Sequence, residues 1–307
     1  MKIPYQMYQF SLRFEHETRV EKFPPFFIRS VVGKELRRVA CLFPNRDCTD
    51  CSLRDRCPYS FLFETPVEKN NPVLRGRNYA PHPFILSMLP MQQRRSRVLQ
   101  LNLNLIGKGQ EYFPYFYYAI RQAGEEGLFF QRMPYRIENV QANGQSVLKD
   151  ENTIVNVAHH HVWELNTDFL SRTYHEMVVE FATPLRYKRQ GKYRSSITYT
   201  QLLEAIYYRT RILAYFFGTL DETLPEKLPD PGTEKEERHN LYWRDFTRYS
   251  ARQRRVLKMG GMMGMLHIKG EFTPLELSLL RAGELFHVGK NAGFGLGKII
   301  INPIANP

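Results

Sequence analysis

Three groups of residues have types and spacings that could do chemistry. The first lies in residues 285–299, LFHVGKNAGFGLGKI, where Gly289, Gly293, Gly295 and Gly297 stand among Lys290 and Lys298. A backbone without Cβ atoms turns sharply and can approach a ligand closely, and the lysines make that ligand an anion. An amphipathic stretch (275–286) precedes this loop and an apolar run (299–301) follows it. Dinucleotide and P-loop fingerprints need the opposite order, strand then glycines then helix, so both are excluded. Two readings remain, a loop lying along a nucleic-acid backbone and a glycine-rich turn with exposed lysines.

The second group is the set of cysteines. Cys41, Cys48, Cys51 and Cys57 are spaced C-x6-C-x2-C-x5-C. Such clustering in a chain without secretion signals argues for a metal centre rather than disulfides. Four thiolates suit structural zinc. The segment RDCTDCSLRDRCPY around the last three is also similar to the iron-sulfur loop of the helix-hairpin-helix DNA glycosylases, and four thiolates hold a four-iron, four-sulfide cluster as readily. Zinc and iron-sulfur both stay open. Either ligand set is complete with the cysteines, so a structural role is expected, with Arg46, Arg54 and Arg56 adding positive charge nearby.

Imidazoles and cations form the third group. His16 follows the first predicted strand, with Arg29 and Lys34 on the helix after it; His287 immediately precedes the glycine loop; His159, His160 and His161 are consecutive. Neighbours in a row point to opposite faces of a strand, so the triplet does not suggest one shared metal. Basic residues cluster at Arg94, Arg95 and Arg97, at Arg186, Lys188, Arg189, Lys192 and Arg194, and at Arg252, Arg254, Arg255 and Lys258. Tyr187, Tyr193, Tyr199 and Tyr249 are interleaved with them, a mixture suited to phosphate contacts beside stacked bases. A formal net charge of +12 over 307 residues favours polyanionic partners. No apolar stretch reaches the length of a membrane-spanning helix and no signal peptide is evident, so a cytoplasmic protein without a membrane partner is expected.

The elements that must position these groups follow from periodicity. Strand, helix, two strands, helix and strand are predicted in the first half, and the same series recurs in the second. The fold expected is α+β, two ferredoxin-like βαββαβ domains in tandem, over residues 1–150 and 151–307. The cysteines fall in an insertion of the first domain (about 41–63), and the glycine loop (289–297) in the second. A local repeat supports duplication: AIRQAGEEGL from Ala119 follows IGKG, and LLRAGELFHVG from Leu279 follows HIKG.

Residues 249–298, YSARQRRVLKMGGMMGMLHIKGEFTPLELSLLRAGELFHVGKNAGFGLGK, carry a resemblance. With residues 182–217, 81–140 and 41–63, they resemble the CRISPR-associated endoribonuclease of the RAMP superfamily that cuts precursor CRISPR RNA at its repeats. Gly260, Gly261 and Gly264 match the family's paired-glycine turn and His287 its HVGK motif. The resemblance implies RNA cleavage by attack of a 2′-hydroxyl on the adjacent phosphorus, with no catalytic cofactor, leaving a 2′,3′-cyclic phosphate and a 5′-hydroxyl. On this basis His16 and His287 are the candidate acid/base groups. The candidate RNA contacts are Gly289, Lys290, Gly293, Gly295, Gly297, Lys298, Arg252, Arg254, Arg255, Lys188 and Arg194. The expected partner is CRISPR repeat RNA, with a CRISPR effector complex as a further partner. An inactive RNA-binding subunit of such a complex, on the same fold, is the alternative. A DNA glycosylase is disfavoured because no helix-hairpin-helix segment accompanies the cysteines.

Overall fold

Strand β1 (Lys2–Arg19) opens the chain, and its spacing explains the layer it builds. Phe10, Leu12 and Phe14 alternate along it, so they share one face, and all three are buried. Helix α1 (Pro24–Ala40) adds Ile28, Val32 and Leu36, four residues apart, to the same core. Strands β2 (Phe84–Ser87) and β3 (Arg95–Ile106), helix α2 (Phe113–Glu126) and strand β4 (Tyr135–Ala142) complete the series. Leu99, Leu101, Leu103 and Leu105 supply the β3 face of the core, and Phe116 and Ile120 that of α2. Each such side chain, taken fully out of water, contributes about 1.5–3 kcal/mol. The strands lie in the order β2-β3-β1-β4 with antiparallel neighbours, a ferredoxin-like sheet.

The structure is a computed structural model. It describes residues 1–19, 24–43, 46–67, 71–74, 79–88, 95–128, 132–150, 153–155, 161–167, 173–230, 234–250 and 255–304. Between α1 and β2 the cysteine segment forms short 3₁₀ turns at Cys48–Asp50 and Arg54–Arg56, then a π-helical turn at Ser60–Glu64. After β4 the chain turns through Asn143 and Gly144, both at positive φ, into β5 (Gln145–Ser146). Asn-Gly suits the left-handed conformations such a tight hairpin requires. Strand β6 (His161–Glu164) follows.

The second series is β7 (Thr173–Leu185), a small hairpin of β8 (Lys188–Arg189) and β9 (Lys192–Tyr193), α3 (Tyr199–Phe217), β10 (Glu236–Ser250), β11 (Arg255–Phe272), α4 (Pro274–Phe286) and β12 (Ile299–Ile304). Its sheet runs β10-β11-β7-β12, again antiparallel. Val179, Phe181, Leu266, Ile268, Leu202, Leu279 and Ile299 are buried in it. The two sheets therefore share one strand order, as tandem ferredoxin-like units require. The contacts divide the chain accordingly: an amino-terminal unit of Ile3–Val162 with Tyr215–Gly218, and a carboxy-terminal unit of Met1–Lys2, Trp163–Ala214 and Thr219–Pro307.

The local repeat has a physical counterpart. A Cβ on Gly124 of α2 would meet the carbonyl of Tyr135, the first residue of β4. One on Gly283 of α4 would meet Ile299, the first residue of β12, at 2.6 Å. In each unit the Ala-Gly pair of the second helix lets that helix lie close to the start of the last strand.

Candidate nucleic-acid interface and acid-base groups

The glycine loop is built inward. Helix α4 starts on a capping box, with Thr273 Oγ1 accepting from the Glu276 amide (3.2 Å) and the Glu276 carboxylate accepting from the Thr273 amide (2.7 Å). It stops at His287, and Gly289, Asn291, Gly295 and Gly297 then take positive φ values of 81°, 65°, 79° and 66°. The amides of Lys290 and Gly297 donate to the carbonyls of Arg186 (3.0 Å) and Pro184 (3.1 Å), and the Val288 amide donates to Gly297 (2.8 Å). Thr183 Oγ1 donates to the Gly295 carbonyl (2.8 Å) and accepts from the Lys298 amide (2.9 Å). A Cβ on Gly297 would collide with the Val288 carbonyl, and one on Gly289 would meet the Arg186 carbonyl at 2.8 Å. Close approach to the chain's own backbone thus accounts for these glycines. Lys290 is partly buried. Lys298 is also partly buried, not exposed as the simple turn reading has it, and burial holds its ammonium below the usual lysine range against the opposing charge of Glu284.

His287 belongs to this fastening. Its side chain is 3% exposed, and its Nδ1 lies 3.2 Å from the Leu296 carbonyl. A carbonyl only accepts, so Nδ1 carries the proton and donates. Burial, then the nearby charges of Lys298 and Arg209, push its pKa well below the ordinary histidine value. The ring is a neutral bolt across the loop, and the expected reach toward a substrate is absent.

The exposed cations lie on the β8–β9 hairpin. Gln190 and Gly191 turn it at φ 50° and 79°, leaving Lys188, Arg189, Lys192 and Tyr193 exposed and Arg194 half-buried. Arg189, Gln190, Arg194, Ser196 and Gln201 line a cleft of about 330 Å³. Behind it Arg186, 7% exposed, donates to the Gly260 carbonyl (3.0 Å) and carries its guanidinium 4.4 Å from the centre of the Tyr193 ring. Arg186 is therefore a tie between the paired glycines, the glycine loop and the hairpin. A Cβ on Gly261 would meet the Leu185 carbonyl at 2.8 Å, which explains a small residue there.

The remaining predicted residues are scattered. The first strand continues past Phe14 to Arg19, so His16 lies within β1. The pairing with β3 shifts between Arg13↔Val98 and Thr18↔Ser96, placing His16 in a bulge that leaves it exposed. Lys34 is bound to Glu126, 2.7 and 2.6 Å from its two oxygens. Arg252 and Arg254, with Arg94, His159 and His160, lie outside the described residues; Arg255 begins β11. His161 bonds Asn143 (2.6 Å) and stacks on Tyr5. The four cysteines are half-buried. Burial raises the Cys48 thiol, as do Glu64, Cys57 and Cys41, partly countered by Arg37. Cys41 and Cys57 thus lie near enough to Cys48 to be felt by it, and the thiol donor chemistry of the segment suits zinc or an iron-sulfur cluster. Among the described residues, however, no three ligand-type side chains are drawn into a coordination shell.

A cluster that sequence spacing does not reveal lies between α1 and β2. Arg29 Nη2 is 2.9 Å from His82 Nε2, and His82 Nδ1 is 3.4 Å from Thr65 Oγ1, which donates to the Phe61 carbonyl (3.0 Å). The His82 ring stacks on Phe84 at 5.4 Å, and Arg29 lies 5.0 Å from the Phe63 ring centre. Arg29 and His82 are 53 residues apart, so only the fold brings them together.

Residues 3–162 match the family AF_1859_N, described as an N-terminal domain, and residues 179–299 match the family described as CRISPR-associated endoribonuclease Cas6. An uncharacterized protein of Archaeoglobus fulgidus is 24% identical over 285 residues, 89% of this chain and 91% of its own. Among solved structures, Thermus thermophilus Cas6 matches at 15% identity and TM-score 0.51, over 99% of both chains. A Cas6 product complex matches at 14% identity and TM-score 0.50, over 98% of this chain and 99% of that one. A partial complex of Cas6, RT, Cas1 and Cas2 matches at 13% identity and TM-score 0.55, over 98% of this chain but 46% of that one. These structures share the fold. The chain belongs to the AF_1859_N family through its amino-terminal half, and its carboxy-terminal residues 179–299 carry a domain of the Cas6 family of CRISPR-associated endoribonucleases.

Proposed function

We propose that the protein binds CRISPR repeat RNA and cuts it by attack of the 2′-hydroxyl on the adjacent phosphorus, without a metal in the reaction. The products are a 2′,3′-cyclic phosphate and a 5′-hydroxyl. The observation that carries RNA binding is the β8–β9 hairpin, which exposes Lys188, Arg189, Lys192 and Tyr193 beside a cleft lined by Arg189 and Arg194, on the unit that matches the Cas6 family. Cations at that density neutralise a backbone while Tyr193 offers a surface for a base. The inward-folded glycine loop braces this element through Arg186.

Cleavage of the repeat from the protein's own locus should persist in EDTA. It should disappear when the nucleotide 5′ of the scissile phosphate carries a 2′-deoxyribose, since the nucleophile is then missing. A deoxy substrate cut at full rate refutes the chemistry. Tight binding with no cut in the ribose substrate supports the second reading, an inactive RNA-binding subunit, which the burial of His287 favours. A CRISPR effector complex is a further proposed partner in either case. Cys41, Cys48, Cys51 and Cys57 are proposed to hold a structural iron-sulfur cluster or zinc ion, supported by their spacing and by the proximity of Cys41 and Cys57 to Cys48.

A further inference from the structure

The reaction just proposed needs an imidazole or its equivalent, and neither histidine singled out by the sequence is well placed. His287 is interior, and His16 sits in an exposed bulge. We propose that His82 is the proton-transfer group, with Arg29 as its phosphate-sensing partner and Thr65 as the residue that positions the ring. The proposal rests on the reading of the protein as an RNA-cleaving enzyme.

Hydrogen-bond polarity defines the state of the ring. An arginine guanidinium only donates and does not lose its proton in a protein. Contact at 2.9 Å therefore makes His82 Nε2 the acceptor, with its lone pair toward Arg29. The ring proton is then on Nδ1, facing Thr65 Oγ1 at 3.4 Å. The Thr65 hydroxyl sends its own proton to the Phe61 carbonyl, leaving a lone pair for the ring. The series Arg29 to His82 to Thr65 to Phe61 thus runs in one direction and holds a neutral imidazole whose basic nitrogen meets a cation.

Backbone conformation at Thr65 marks the same place independently. Thr65 is β-branched, buried and held at φ 43°, a left-handed conformation that costs such a residue about 1–3 kcal/mol. It ends the π-helical turn Ser60–Glu64, itself an uncommon form often found at functional sites. Two bonds lock it: its amide donates to Ser60 (2.7 Å), and its carbonyl accepts from Ala80 (2.9 Å), two residues before His82. The strained residue therefore holds both the ring and the chain that bears it. Phe84 stacks on one side and Phe63 lies 6.1 Å from the ring centre, fixing its plane while His82 stays only part-buried.

The step balances without any added reagent. When a phosphodiester arrives, Arg29 turns to its non-bridging oxygens, a stronger charge-assisted contact than a neutral imidazole offers. His82 Nε2, now released, takes the proton of the 2′-hydroxyl. The O2′–P bond forms and the P–O5′ bond breaks. The departing O5′ takes a proton from water, and the imidazolium returns its proton to the hydroxide so formed. The proton lost by the 2′-hydroxyl ends on the 5′-hydroxyl product.

The test is single-turnover cleavage of the repeat RNA from pH 5 to 9, alongside RNA affinity and circular dichroism. His82→Ala should slow cleavage by about two to four orders of magnitude, the usual range for a positioned proton-transfer group, with affinity within a few fold. Free imidazole should restore part of the rate in that variant, as it would not for a purely structural loss. Thr65→Ser should keep the rate, whereas Thr65→Val should lower it and move the acidic limb of the pH profile, because the Nδ1 acceptor is gone. If wild type cleaves and His82→Ala does so within threefold, the proposal is overturned while the RNA-cleaving reading stands. It is also overturned if the His82→Ala loss is unaffected by imidazole and Thr65→Val leaves the pH profile in place. A wild type that leaves the ribose substrate intact removes the underlying reading itself.

Discussion

At the scale of single residues, His287 shows how a motif histidine becomes part of the interior. It bonds the Leu296 carbonyl, is enclosed, and has a pKa pushed well below 6.5 first by burial and then by Lys298 and Arg209. The folded state holds it neutral where the unfolded chain would protonate it. Below about pH 6.5 the unfolded state therefore binds one more proton, so stability present at higher pH is lost as pH falls, by at most about 1.4 kcal/mol per unit for this one group. Urea unfolding between pH 7.5 and 5 should show that slope, and His287→Gln should flatten it. An unchanged slope in the variant would place the acid sensitivity elsewhere. Gly297 is similarly committed: at φ 66° and against the Val288 carbonyl, it should not tolerate Ala. Gly297→Ala is expected to lower stability by more than the about 1 kcal/mol of an ordinary glycine replacement, measured by denaturant unfolding. The sequence made these glycines legible as a sharp turn, but not their partners, because Pro184 and Arg186 are remote in the chain. Arg29 stood out as a cation, but its contact with His82 was silent for the same reason: no spacing rule links a helix residue to a loop residue 53 positions later.

Elements were more legible than contacts because periodicity is local. Alternation in β1 and β3 and the four-residue spacing in α1 identify strands and a helix from a few neighbours. The end of β1 was harder, since the bulge between Arg13 and Thr18 breaks the alternation that marks a strand. Helix α4 had a readable start in Thr273 and Glu276, but its buried ion pair comes from an unrelated loop. Lys235 Nζ lies 3.1 Å from Glu276 Oε1, with side chains 4% and 1% exposed. Removing one partner strands the other charge, so Lys235→Met should destabilise by about 3–5 kcal/mol. Lys235→Met combined with Glu276→Gln should lose less, because glutamine keeps an oxygen for the Thr273 amide without a buried charge. A double variant less stable than the single one would reject this account. For the β8–β9 hairpin, Lys188→Ala and Arg194→Ala should each reduce the slope of log affinity against log salt by about 0.7–0.9. Slopes equal to wild type in both variants would move the RNA contact off the hairpin.

At the scale of the whole molecule, duplication gives each unit its own antiparallel sheet and core, and the cysteine segment belongs to only one of them. Its turns at Cys48–Asp50 and Arg54–Arg56 contain no buried residue, so apolar packing contributes little to ordering them. A ligand bound only by the folded segment would supply that stability by mass action. Protein prepared without oxygen should therefore contain either about four irons with a brown chromophore or about one zinc per chain. Cys51→Ser should lose that metal and lower the unfolding temperature of the amino-terminal unit, followed by hydrogen exchange at β1 and β3. Exchange at β7 and β11, in the carboxy-terminal sheet, should remain as in wild type. Full metal content in Cys51→Ser would break the assigned ligand set. Metal loss with unchanged exchange in both sheets would show that the centre does not stabilise the fold, and would direct its role toward RNA beside Arg46, Arg54 and Arg56, which the chain keeps next to these cysteines.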